Sequence, residues 1–198
     1  MTFFLINVRN MLSSGRGTVA KRYYAERPLP KNLAVGVAAL GTLAFWGECL
    51  LYPLVAFTNA VRKGAFTLDV LVPFDKCTSS IGLLLIVLGL SIFSWSVQAR
   101  GRYATSWAMA EDHRLVTWGP YRFVRHPSYL SYFMMFFGML ILWPNVFSTI
   151  PILSIPGYVR ITKDEEGLLI ERFGDQYRDY RKRTGRFFPK IPRKLACA

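Results

Sequence analysis

Three stretches of this chain, residues 33–60, 81–99 and 127–143, run with at most one charged side chain each, and this blockwise arrangement restricts the fold more than any other feature. A helix that crosses the hydrocarbon of a bilayer needs roughly 20 mostly apolar residues in a row, whereas a soluble domain breaks its apolar positions up at helical or strand periods. The blocks therefore predict an all-α integral membrane protein. The first span runs from 33 to about 60, with Pro53 permitting a kink and Glu48 as its one charge. The second covers 81–99, and its apolar run gives way to Ser94, Trp95, Ser96 and Gln98, residues suited to a polar cavity. The run from 127 to 143 turns at Trp143-Pro144-Asn145 into 146–158. Both limbs are short for a span, so they predict a tilted or partly submerged hairpin, making about four membrane-embedded helices.

Charge sets the topology. Of the formal net charge of +13, Lys and Arg concentrate beside the apolar blocks, at 16–31, at Arg100 and Arg102, and from Arg160 onward. By the positive-inside bias these flanks are cytoplasmic, which puts both termini in one compartment and membrane lipid beside the basic rim. Nucleic acid is excluded as a partner, because no helix-turn-helix, zinc or stacking motif accompanies the charge. Cys49, Cys77 and Cys197 lack CxxC spacing, so neither a zinc site nor a disulfide framework is indicated. The chain divides into a cytoplasmic or interfacial segment (1–32), two transmembrane helices (33–99) and a catalytic half (100–198) holding a loop, the hairpin, an interfacial helix and a tail.

Both histidines fall in residues 112–132, which read Asp-His-Arg-Leu-Val-Thr-Trp-Gly-Pro-Tyr-Arg-Phe-Val-Arg-His-Pro-Ser-Tyr-Leu-Ser-Tyr. Packing does not account for such a density of His, Arg and Tyr at a membrane boundary. Gly119-Pro120 supplies a turn, and Pro127 marks a helix start, where its missing N–H costs nothing and the first-turn donors stay free. A second stretch, from Arg160 through Asp164-Glu165-Glu166 to Tyr180, places Leu168, Leu169 and Phe173 at near-helical spacing. It reads as an amphipathic surface helix, its apolar face continued along the membrane by Tyr177 and Tyr180. Glu166, Asp175 and Asp179 read as its solvated face. Trp107, Trp118 and Trp143 read as interfacial anchors.

At these residues the chain resembles the isoprenylcysteine carboxyl methyltransferases and the related membrane phospholipid methyltransferases. The likeness rests on His113-Arg114-Leu115-Val116, Gly119-Pro120-Tyr121, Arg125-His126-Pro127-Ser128-Tyr129, Glu165-Glu166 with Leu169, Phe173-Gly174-Asp175-Gln176-Tyr177 with Tyr180, and Thr184-Gly185-Arg186-Phe187-Phe188-Pro189. The resemblance implies S-adenosyl-L-methionine bound without a Rossmann fold, between the histidine-rich loop and the C-terminal helix. It carries the cofactor contacts onto His113, Arg114, Leu115, Val116, Tyr121, His126, Pro127, Ser128 and Tyr129, with Glu165 as the acidic contact. It also implies an arginine at the reacting carboxylate, four residues before that glutamate. Ile161 occupies the position here and Arg160 precedes it, so either the helix contains a one-residue bulge or Asp164 replaces Glu165 opposite Arg160.

The implied substrate is a lipophilic one, the carboxylate of a prenylated cysteine or a close analogue. A carboxylate is already ionised at neutral pH, so positioning and desolvation carry the transfer without a general base. Other readings are methylation of a phospholipid amine or thiol, an NADPH-dependent sterol-type membrane reductase, which resembles this chain in its Arg-His-Pro element and Phe-Gly-Asp-like tail, and a noncatalytic scaffold. Glu48, an acid within a span, is open to either a functional or a pairing role.

Overall fold

The computed structural model describes residues 22–23, 33–57, 76–101, 109–110 and 114–190. The described part is helical apart from two minimal β features. A two-residue ladder pairs β1 (Arg22–Tyr23) antiparallel with β2 (Met109–Ala110), and a single parallel bridge joins Val124 to Gly185. Helix α1 is Leu33–Phe57 and α2 is Lys76–Arg100, each 25 residues long. Both contain a window long and apolar enough to cross a membrane, of which only 22% and 33% is buried. The core helix of a soluble domain would be mostly covered. Here Leu43, Leu50 and Leu54 on α1 and Leu83 and Leu84 on α2 stand more than half exposed, as lipid-facing side chains do. Pro53 lies inside α1 without ending it.

Helix α3 begins at Pro127, as its sequence predicts, and runs to Leu142. The turn beyond it is built by Asn145, whose Oδ1 accepts from the backbone N–H groups of Phe147 (2.8 Å) and Ser148 (3.1 Å) while its amide donates to the Trp143 carbonyl (2.9 Å). The return limb differs from the expected hairpin. A five-residue helix α4 (Thr149–Leu153) is followed by α5, Ile155–Arg183, which passes without a break through the position where hairpin and interfacial helix were expected to part. No proline or positive-φ glycine stands between Gly157 and Gly174 to stop it. Its only non-helical residue is Gly174 (φ 50, ψ −124), a conformation that side chains with a Cβ avoid. The expected single amphipathic helix is therefore two pieces joined at that glycine. The backbone is helical without interruption through Arg160 and Glu165.

The chain forms two compact units. One comprises residues 31–91 and 130–163. Its core includes Phe45, Met135, Phe136 and Met139, and Tyr158 packs against the rings of Tyr132, Phe133 and Phe136. Close approach of α2 to α3 depends on small residues, since a Cβ on Gly82 would lie 2.7 Å from the Gly138 carbonyl oxygen. Within this unit Glu48 is buried and accepts a 3.4 Å hydrogen bond from the Asn145 amide, giving the intramembrane acid a protein partner. The other unit comprises 1–30, 92–129 and 164–198, and it holds the polar constellation.

Candidate functional site

The backbone of the histidine loop is clasped to the tail. Arg125 N–H donates to the Gly185 carbonyl (2.9 Å) and His126 N–H to the Arg186 carbonyl (3.0 Å). Gly185 is required there, because a Cβ would overlap the Phe188 carbonyl oxygen. Upstream, Gly119 (φ 61) opens a short 3-10 turn, Gly119–Arg122, and the Tyr121 carbonyl accepts from the buried Tyr180 hydroxyl at 2.6 Å. Tyr177 and Tyr180 are 1% and 6% exposed, so they face the protein interior and not the membrane surface expected for them. The Tyr180–Tyr121 bond supplies one physical reason, since a buried carbonyl has to be satisfied.

Two adjacent glutamates divide the charge work. Glu166 was expected on the solvated face and is instead 3% exposed. Arg125 Nε donates to it at 3.1 Å, and Arg186 donates through Nε and Nη2, both at 3.0 Å. Burial alone would raise its carboxyl. Hydrogen bonds from His126 and Arg186, with the charge and hydrogen bond of Arg125, outweigh burial and hold it well below the ordinary carboxylate range. Arg125 also donates to the carbonyls of Arg181 and Thr184, closing the C-terminal end of α5, to which Lys190 adds bonds to Arg181 (2.9 Å) and Lys182 (3.0 Å). Asp175 and Asp179 are on the solvated face as expected, paired with Arg178 and Lys182 at 2.8 Å each.

Glu165 is different. Its Oε1 accepts from the Tyr129 hydroxyl at 2.6 Å, its Oε2 lies 3.5 Å from His126 Nδ1, and its side chain keeps 33% exposure. It is hemmed in by protein yet keeps part of its side chain open to its surroundings. Burial pushes its carboxyl above the ordinary value, against the charge of His126, the Tyr129 hydrogen bond and the charge of Arg100, while Glu166 adds to the rise. His126 is 7% exposed, with Nε2 3.3 Å from Glu166 Oε1 and its ring stacked on Tyr129 (5.8 Å, 22°). The imidazole thus bridges the two carboxylates.

Of the residues expected in the site, His126, Tyr129 and Glu165 come together directly. Pro127 is buried at the first position of α3, and Ser128 exchanges a 2.7 Å hydrogen bond with Ser96 on α2. Tyr121 is tied in through Tyr180. Val116 is buried, Leu115 half-buried and Arg114 exposed, in a stretch without regular secondary structure. His113 and Trp107 lie outside the described residues. Arg160 is exposed on the part of α5 that belongs to the other unit. Arg100, Arg125, Glu166 and Arg186 adjoin these residues without having been expected among them. Arg125, Glu166 and Arg186 stand within the motifs that carry the resemblance, whereas Arg100 lies outside them. Among the described residues no group of His, Cys, Asp and Glu is arranged to hold a metal.

Residues 77–176, just over half of the chain, match the phospholipid methyltransferase family, and the chain belongs to that family. Within it, the chain is similar to protein-S-isoprenylcysteine O-methyltransferases. It is 34% identical to that of Schizosaccharomyces pombe over 155 residues, which cover 73% of this chain and 64% of the relative. It is 31% identical to that of Tribolium castaneum over 119 residues, covering 57% and 42%. Its fold matches the solved structure of the eukaryotic intramembrane Ras methyltransferase, an isoprenylcysteine carboxyl methyltransferase, with a TM-score of 0.51 at 26% identity, covering 79% of this chain and 52% of that one. The chain thus spans about two fifths to two thirds of the length of these proteins.

Proposed function

We propose that this chain is an integral membrane methyltransferase that uses S-adenosyl-L-methionine to methylate the C-terminal carboxylate of a prenylated cysteine or a similar lipophilic acid at the cytoplasmic face. The observation that carries the reading is the contrast between the two glutamates. Glu166 has its charge matched by two guanidinium groups, whereas Glu165 is a partly open carboxylate with no guanidinium bonded to it among the described residues. A cationic ligand would find its counter-charge at Glu165, so the residues fit a sulfonium cofactor with an ammonium group.

When bound, the cofactor supplies a methyl group made electrophilic by the positively charged sulfur. The chain's part is to bind, orient and keep water away. Tyr129 and His126 fix the two oxygens of Glu165, and Glu166 in turn holds His126. The acceptor needs no base, because its carboxylate oxygen already carries the electron pair that forms the new bond. Arg160 is proposed as the residue that holds this carboxylate, on the strength of the resemblance. Four membrane-embedded segments with both termini cytoplasmic bring a soluble cofactor and a membrane-borne acceptor to the same side. The prenylcysteine substrate is supported by the names of the relatives.

Purified protein in detergent, given S-adenosylmethionine with a labelled methyl group, is expected to label a farnesyl-cysteine analogue and to bind S-adenosylhomocysteine but not NADPH. Cofactor binding without label transfer would remove the acceptor assignment, and tight NADPH binding alone would remove the methyltransferase class. The family match keeps phospholipid amines as a second acceptor class. Amine methylation would rise with pH across the amine's titration, and carboxylate methylation would not.

A further inference from the structure

Arg100 closes α2, immediately beyond the polar turn that carries Ser96. Its Nε is buried and has no hydrogen-bond partner among the described residues. Its Nη2 reaches the Ser128 hydroxyl only at 3.4 Å, and that hydroxyl is already engaged with Ser96 Oγ at 2.7 Å. Ser96, fully buried, also donates to the Phe93 carbonyl at 2.8 Å. The helix end needs nothing from Arg100 at Ala99, whose carbonyl is taken by the Trp118 indole N–H at 2.9 Å. Arg125, Arg178 and Arg186, by contrast, all find carbonyl or carboxylate acceptors. Among the described residues no carboxylate pairs with Arg100, yet its charge is felt at Glu165.

A buried guanidinium donor left without an acceptor is costly, so such a group persists where something else satisfies it. The planar fork of Arg matches a carboxylate through two parallel hydrogen bonds. We infer that Arg100 holds a ligand carboxylate beside the Ser128 hydroxyl. The inference rests on the methyltransferase reading and deepens it. Arg100 and Glu165 together offer one positive and one negative group, the complement of a zwitterionic amino-acid moiety. The reaction brings two carboxylates to the site, that of the cofactor's amino-acid end and that of the acceptor, and their shared chemistry is what Arg100 recognises.

Titration of wild-type protein and Arg100→Gln separates the two sources. Two cofactor ligands are compared, S-adenosylhomocysteine and its decarboxylated analogue, alongside the KM for a farnesyl-cysteine analogue. If the cofactor's carboxylate is held, Arg100→Gln weakens S-adenosylhomocysteine by about 10- to 100-fold and leaves the decarboxylated analogue unchanged. If the acceptor's carboxylate is held, cofactor affinity is kept and KM rises by a similar factor. Arg100→Gln that leaves all three values unchanged, or that weakens both cofactor ligands equally, overturns the inference. Arg100→Lys keeps the charge without the fork and serves the same comparison if the glutamine variant does not fold. Wild-type protein that binds no S-adenosylhomocysteine overturns the methyltransferase reading itself, a result distinct from any effect of the Arg100 variants.

Discussion

Replacing Glu166 with glutamine removes the charge on which two arginines converge. The carboxylate is 3% exposed and receives Arg125 Nε at 3.1 Å, Arg186 Nε and Nη2 at 3.0 Å, and His126 Nε2 at 3.3 Å. Removing one partner of a fully buried ion pair costs about 3–5 kcal/mol, because the other charge stays desolvated. Arg125, with an 8% exposed side chain, bears most of that cost but keeps the carbonyls of Arg181 and Thr184. Arg186 is 32% exposed, so its share is reduced by solvent. The expected loss is therefore about 3 kcal/mol, at the lower end of the range. It is measured as unfolding free energy of the detergent-solubilised protein. The pH dependence has a definite sign. A carboxyl whose folded pKa is depressed contributes stability in full above its unfolded pKa and loses it progressively as pH falls from there through the folded value. The difference between wild type and Glu166→Gln should accordingly be the same at neutral pH and at pH ~5. A variant within about 0.5 kcal/mol of wild type would refute the view that this cluster is structural.

Glu165 titrates in the opposite sense. With its folded pKa raised, the stability linked to it is present below the unfolded value and lost as pH rises through the folded one, so Glu165→Gln is expected to match or exceed wild-type stability at neutral pH. For the same reason, S-adenosylmethionine affinity should fall as pH drops through the raised carboxyl range, checked by calorimetric titration across pH. Gly185→Ala forces the Phe188 carbonyl away and should loosen the Arg125 and His126 clasp, read as faster amide exchange at those two residues. Arg160→Ala is expected to lower turnover while leaving cofactor affinity largely intact, and unchanged turnover would remove its carboxylate-holding role.

The membrane helices were legible because burial in lipid needs only length and apolarity, which a sequence displays directly. Pro127 as a helix start and Asn145 as a turn residue were equally local in cause. The join between hairpin and interfacial helix was misplaced because the change of composition near Tyr158 and Arg160 reflects a change of surroundings along one helix, not a change of backbone. Gly174 was the real break, and a lone glycine in a helical pattern is a weak signal. In the site, His126, Tyr129 and Glu165 were legible through the motif. Glu166 was not, because its burial depends on Arg125 and Arg186, 41 and 20 residues away, and a charge that looks solvated from helical spacing is buried once two cations fold over it. Arg100 read as a topological flank for the same reason, since an unpaired donor is visible only when its surroundings are.

In the proposed function Glu165 is the counter-charge for a cationic methyl donor, while Glu166 beside it holds the fold. Calorimetric titration of S-adenosylmethionine into wild-type and Glu165→Gln protein tests it most directly. Binding to wild type is expected, with affinity weakened by about 10- to 100-fold in the variant at undiminished unfolding stability. A Glu165→Gln protein that binds the cofactor as tightly as wild type would contradict it.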